Sequence, residues 1–149
     1  MANIVEQIND AMTSRISTVL GATYSELSYV INVEKNNFLG NKKRYGIRPM
    51  DSNTVSGLTR NYNMNQLFNV VLTHDYLNLS NNDTDQRDKT FVLYDQMDII
   101  FKDLFLTRAG IPAIILNIEE INIDAPEYVE ASSLIILAAQ LTIKYRQPL

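Results

Sequence analysis

The sequence offers a few places where side-chain type and spacing could support chemistry. One is its single histidine, His74, followed directly by Asp75. A general base needs a partner that orients its ring. Neighbouring side chains in a strand point to opposite faces, so Asp75 is expected to face away and His74 to be structural. The same alternation separates Glu119 from Glu120 and argues against a carboxylate dyad. A third candidate, NNDTDQRDKTFV, starts at Asn81 and places Asp83 and Asp85 like ligands of a calcium loop. Gln86 stands where that loop needs glycine and Val92 where it needs glutamate, so the stretch reads better as a helix start capped by Asp85. The basic stretch LGNKKRYG is not a phosphate loop, and nucleophile-elbow and zinc-helix patterns do not occur. The expectation is a protein that is not an enzyme, with no catalytic residue, no cofactor and no metal.

Charge is the more informative signal. From Lys35 to Arg60 the chain carries six basic residues against Asp51 alone, a net +5, within a chain whose total is −4, leaving −9 elsewhere. Lys42, Lys43, Arg44 and Arg48 are the candidate interface residues of this segment, and Lys144 and Arg146 join them from the end of the chain. A basic segment on an acidic body suits contact with a like subunit or an acidic partner. Two other readings compete. The segment could be a solvated loop. It could also bind nucleic acid, with Phe38 and Tyr45 stacking on bases beside the cations; a pI of about 4.9 for the whole chain argues against a dedicated binder of that kind.

The elements that must position these residues follow from periodicity. Over 3–20, Ile4, Ile8, Ala11, Met12, Ile16 and Val19 recur at helical steps, and Gly21 marks the end. Residues 27–34 read as a strand. Residues 36–62 hold Gly40, Gly46, Pro49 and Gly57 with short apolar pieces between, which predicts a long hairpin or extended arm with a loose tip and too little apolar pattern to be core. Over 65–77, Phe68, Val70 and Leu72 alternate with Asn69, Val71 and Thr73, so one face is apolar and the other mixed, as in a half-buried strand. A helix is expected over 86–108, with Leu93, Met97, Ile100, Phe101 and Leu104 buried, Asp95, Asp98, Lys102 and Asp103 facing water, and Gly110 and Pro112 as its stop. Two strands follow, over 113–123 and 133–146. In the second, Ile135, Leu137, Ala139, Leu141, Ile143 and Tyr145 share a face. Its fourteen or so residues span roughly 46 Å, long enough to extend past a compact domain and leave an edge that needs pairing. The connector DAPEYVEAS is too long for a tight turn, so a bulge or divergence is expected there.

This order specifies an α+β fold: a mostly antiparallel sheet with two helices packed on one face and a long arm. At 149 residues and 46% hydrophobic content, a single domain over 1–149 has enough chain for its own core. The absence of cysteine removes disulfides and thiolate chemistry. Neither a leader pattern nor an apolar run near the twenty residues of a membrane span is visible, so no membrane is expected.

The element order, with FNVVLTHDY as a middle strand, TFVLYDQMDIIFKDLF as the second helix and a last strand ending LTIKYR, resembles the tail terminator and head–tail joining (neck) proteins of tailed bacteriophages. The likeness extends over nearly the whole chain and rests on element order and length. The resemblance implies a structural virion protein: a subunit of a homohexameric ring that caps the tail tube and joins it to the neck or connector of the head. Its partners would be other copies of itself, the tail tube protein and the connector, with DNA passing through the lumen without specific recognition. The place of action would be the virion, after assembly in the host cytoplasm. On that reading the basic segment reaches an acidic neighbour in a head-to-tail contact. The alternative is a small nucleic-acid-associated module using residues 35–60.

Overall fold

The structure, a computed structural model, describes residues 3–26, 42–57, 61–77, 83–107 and 115–148. Helix α1 spans Ile4–Leu20 and leads through a 3-10 turn, Gly21–Thr23, into a two-residue strand β1, Ser25–Glu26. Strands β2 (Arg44–Gly57) and β3 (Asn61–Asp75) follow, then helix α2 (Thr84–Thr107) and strands β4 (Ile115–Ile123), β5 (Glu127–Val129) and β6 (Leu134–Pro148). The sheet has six strands in the order β1-β2-β3-β6-β4, with β5 also paired to β6. Among the described residues, only the short β1–β2 pairing is parallel. The fold is α+β, as the periodicities predict.

Local chemistry explains the helices. The Asn3 side chain caps α1 by accepting the Glu6 N–H at 2.8 Å. Ile8, Met12, Ile16 and Leu20 form its buried stripe. Gly21 ends it at φ 74°, a left-handed backbone that suits glycine. In α2 the buried positions Leu93, Met97, Ile100, Phe101 and Leu104 are those the spacing predicts. They join Phe68, Val70 and Leu72 of β3 and Ile135, Leu137, Ala139, Leu141, Ile143 and Tyr145 of β6 in one core. Both helices therefore lie on the same face of the sheet.

Several expectations need correction. The segment read as an arm is, over 44–57, a strand of the sheet, paired with β3 from Arg44↔Thr73 to Gly57↔Tyr62. The hairpin is present, but its base is core: Tyr45 and Ile47 are only 5% and 7% exposed. The pattern is weak because β2 is broken by register shifts after Pro49 and Thr54. The last strand is not an edge. β6 pairs with β3 along its whole length and with β4 and β5 on its other side. The irregular connector is resolved into β5 and a 3-10 turn, and Ser133 leaves that turn at φ 51°. Asp85 is not the cap of α2: it lies in the first turn, and its carboxylate accepts the Leu77 N–H at 2.6 Å, tying the end of β3 to the helix start. Asp103 does not face water. It takes Arg15 of α1 in a two-bonded pair at 2.6 and 3.0 Å. The strand expected over 27–34 and the stop at Gly110 and Pro112 lie outside the described residues.

Candidate functional site

Directly paired residues of antiparallel neighbours share a face of the sheet. Phe68, Val70 and Leu72 point toward the helices, so Asn65, Leu67, Asn69, Val71 and Thr73 belong to the opposite face. The register places Arg44 beside Thr73, Arg48 beside Asn69, and Lys144 beside Asn65. Arg146, two residues beyond Lys144, continues the same side. Four of the six candidate interface residues, Arg44, Arg48, Lys144 and Arg146, thus converge on one face of the sheet. Along its middle Leu67, Asn69, Val71, Gln140 and Thr142 are half-buried, whereas Thr73 and Ile136 at one end are buried. It is rich in amides: Asn69 pairs with Gln140, and Gln140 with Asn122. Among these cations Arg146 is exposed and the other three are half-buried.

Lys42 and Lys43 do something different. The Lys42 Nζ donates to the Ser132 carbonyl at 2.7 Å. Thr73, fully buried, donates its hydroxyl to the Lys42 carbonyl at 2.8 Å and accepts the Arg44 N–H at 3.1 Å. The Lys43 carbonyl accepts the Ser25 N–H at 3.0 Å. These contacts make 42–44 a joint that fastens β1 and the β5–β6 turn to the hairpin. The expectation of a basic tip reaching outward does not fit Lys42.

The other candidates also change. A register shift lies between Ile118 and Glu120 of β4. Ile118 and Ile121 both meet the core, and the two glutamates between them are both exposed. The extra residue of a bulge breaks strict alternation, so these carboxylates do not diverge as expected. Lys144 Nζ lies 3.9 Å from Glu119 Oε1, which couples the bulge to the cationic face.

His74 does have an orienting partner. Its Nδ1 lies 2.7 Å from the Asp75 carbonyl oxygen and 3.2 Å from Asp75 Oδ1. Asp75 is the last residue of β3, where the chain leaves the sheet and alternation loses its force. A carbonyl only accepts, so Nδ1 carries the proton. Burial lowers the imidazole pKa below its ordinary value, and Asp75 opposes that shift without reversing it. The ring is 4% exposed and meets Tyr24 edge-on, with centroids 6.4 Å apart. Burial raises the Tyr24 phenol pKa, and its hydroxyl is buried without a hydrogen-bond partner. The imidazole is thus oriented and enclosed at the sheet end.

Sequence reasoning missed a cleft of about 480 Å³ between the first turn of α1 and Pro49, lined by Asn3, Glu6, Asn9 and Asp10 among others. The buried Asn9 Oδ1 has no partner there. Among the described residues, no group of three or more His, Asp or Glu could hold a metal ion, and no helix is long and apolar enough to cross a membrane.

No protein-family model matches the sequence. No curated protein matches it either.

Proposed function

We propose that this chain is a structural subunit of a tail terminator or neck ring of a tailed bacteriophage, acting in assembly and not as an enzyme. Its partners on this reading are further copies of itself, six to a ring, the tail tube protein and the head connector. DNA would pass through the ring without being read, and the place of action would be the virion. The supporting observation is the two-sided sheet: helices on one face, and on the other an amide-rich surface with Arg44, Arg48, Lys144 and Arg146. A protein whose cations gather on a broad sheet surface is equipped to bind another large surface, and electrostatic attraction gives such contacts orientation.

The test is electron microscopy of the purified protein at low salt, together with particles assembled in its absence. Rings from the pure protein, and overlong tails or unjoined heads without it, are the expected results. Discrete non-ring protein together with normal particles in the deletion would overturn the reading.

The nucleic-acid alternative keeps the same four cations but loses part of its stacking platform, because Tyr45 is buried in the core. If all four contact phosphates of a duplex, log affinity should fall with log salt at a slope of about −3.6. Anisotropy titrations at several salt concentrations would read it.

A further inference from the structure

Helix α2 has apolar residues on two opposite sides. One side meets the sheet through Leu93, Met97, Ile100 and Leu104. On the other, Phe91, Ile99, Phe105 and Leu106 remain 53%, 45%, 43% and 83% exposed. Phe91, Asp95, Asp98, Lys102 and Phe105 follow one another at steps of four and three, with Ile99 and Leu106 alongside, so they form one face that is apolar at both ends and at Ile99 and charged at the three positions between Phe91 and Phe105. From Phe91 to Leu106 the stripe is about 22 Å long at 1.5 Å per residue. Scattered surface hydrophobics are ordinary, but large apolar side chains aligned along one helix face mark an interaction surface.

We propose that this stripe binds α2 of a second copy of the chain, antiparallel, about a two-fold axis near Asp98 and Ile99. Charge placement selects that occupant and that direction. Asp95 and Lys102 are equidistant from the midpoint between residues 98 and 99, and so are Phe91 and Leu106. An antiparallel pair therefore sets Asp95 against Lys102 of the second copy and Phe91 against its Leu106. Parallel pairing would stack Asp95 on Asp95 and Lys102 on Lys102, whereas Asp98 meets its own copy in the antiparallel pair as well and is neutralised there by Lys102. Lys102 already holds its own Asp98 at 2.8 Å and can bridge the two carboxylates. The sheet edge at β4 is the less suitable contact: two register shifts and the exposed Glu119 and Glu120 interrupt it, features that discourage strand addition.

A stable interface buries about 800 Å² per partner. One helix stripe supplies only part of that area, which puts the contact in the size class of weak, transient associations. The contact is isologous, unlike the head-to-tail contact of a ring. It is independent of the proposed role, and where rings form it links two of them.

The chain has no cysteine, which allows a direct test. Asp98→Cys, next to the axis, should oxidise to a disulfide-linked dimer of twice 17.0 kDa. Phe91→Cys alone should not, but a mixture of Phe91→Cys and Leu106→Cys chains should cross-link. By sedimentation equilibrium, Lys102→Asp should weaken the dimer tenfold or more, and adding Asp95→Lys should restore it to within about threefold. These outward positions allow each variant's fold to be verified by circular dichroism. A wild-type chain that stays monomeric at several hundred micromolar would overturn the proposal. So would a dimer indifferent to the charge swap, or failure of Asp98→Cys to cross-link. Ring formation is read separately by microscopy, so loss of this contact and loss of the ring reading are distinguishable.

Discussion

Strands β2 and β6 flank the same strand, β3, and have 14 and 15 residues. They are built in different ways. β6 sends Ile135, Leu137, Ala139, Leu141, Ile143 and Tyr145 into the core without interruption, and its pairing with β3 is unbroken from Leu134 to Pro148. β2 sends in Tyr45 and Ile47, then passes Pro49 and two register shifts. One strand is held by side-chain burial on top of its hydrogen bonds. The other relies more on backbone pairing and on the joint at Lys42–Arg44 with Thr73. Strand character thus comes from two sources, and only burial leaves a periodic trace in sequence.

The contrast can be broken most forcefully in β6. Leu137 is fully buried, and Leu137→Ala should cost about 2–5 kcal/mol, measured by urea unfolding. Ile47→Ala, at a site 7% exposed, should fall at the low end of the same range, about 2 kcal/mol. A loss below about 0.5 kcal/mol would mean that β2 behaves as the loose arm its sequence suggests. A loss matching that of Leu137→Ala would erase the contrast.

A smaller effect comes from the joint region, where His74 sits. Its folded pKa is lowered by burial. The unfolded chain therefore takes up a proton more readily as pH falls. The neutral ring's contribution is fully present above the unfolded value of about 6.5 and declines as pH drops from there toward the lower folded pKa. Thermal unfolding from pH 8 to 5 should show this decline, and His74→Gln should flatten it. An unchanged slope in the variant would assign the acid sensitivity to other groups.

The smallest effect belongs to the sheet's cationic face. Arg146 is exposed, and Arg146→Glu should change stability by less than about 0.5 kcal/mol. If the cationic face is the assembly surface, the same substitution should impair joining of tails to heads. A fully infectious variant would remove Arg146 from that surface.

Much of the scaffold was legible from sequence. The stripe of α2 and the alternation in β3 and β6 identify core residues one by one, because each element encodes its face in its own repeat. In α1, Ile8, Met12 and Ile16 are buried as the spacing predicts, whereas Ile4, Ala11 and Val19 are half-buried and Leu20 completes the buried stripe. The candidate site was legible only in part. Arg44 and Arg48 share a parity, as do Lys144 and Arg146, but nothing local states that both pairs emerge on the same side. That depends on the registers Arg48↔Asn69 and Asn65↔Lys144.

Composition and periodicity by themselves determined the two helices, the core-facing residues of β3 and β6, and the α+β class. Only the tertiary structure decided that β2 belongs to the sheet, that β6 lies inside it, and that the bulge in β4 exposes Glu119 and Glu120 together. It also decided that Arg15 meets Asp103, 88 positions away. The division has a physical cause. Side-chain alternation is written into consecutive residues, whereas register, bulges and long-range ion pairs depend on which distant backbone or charge comes alongside.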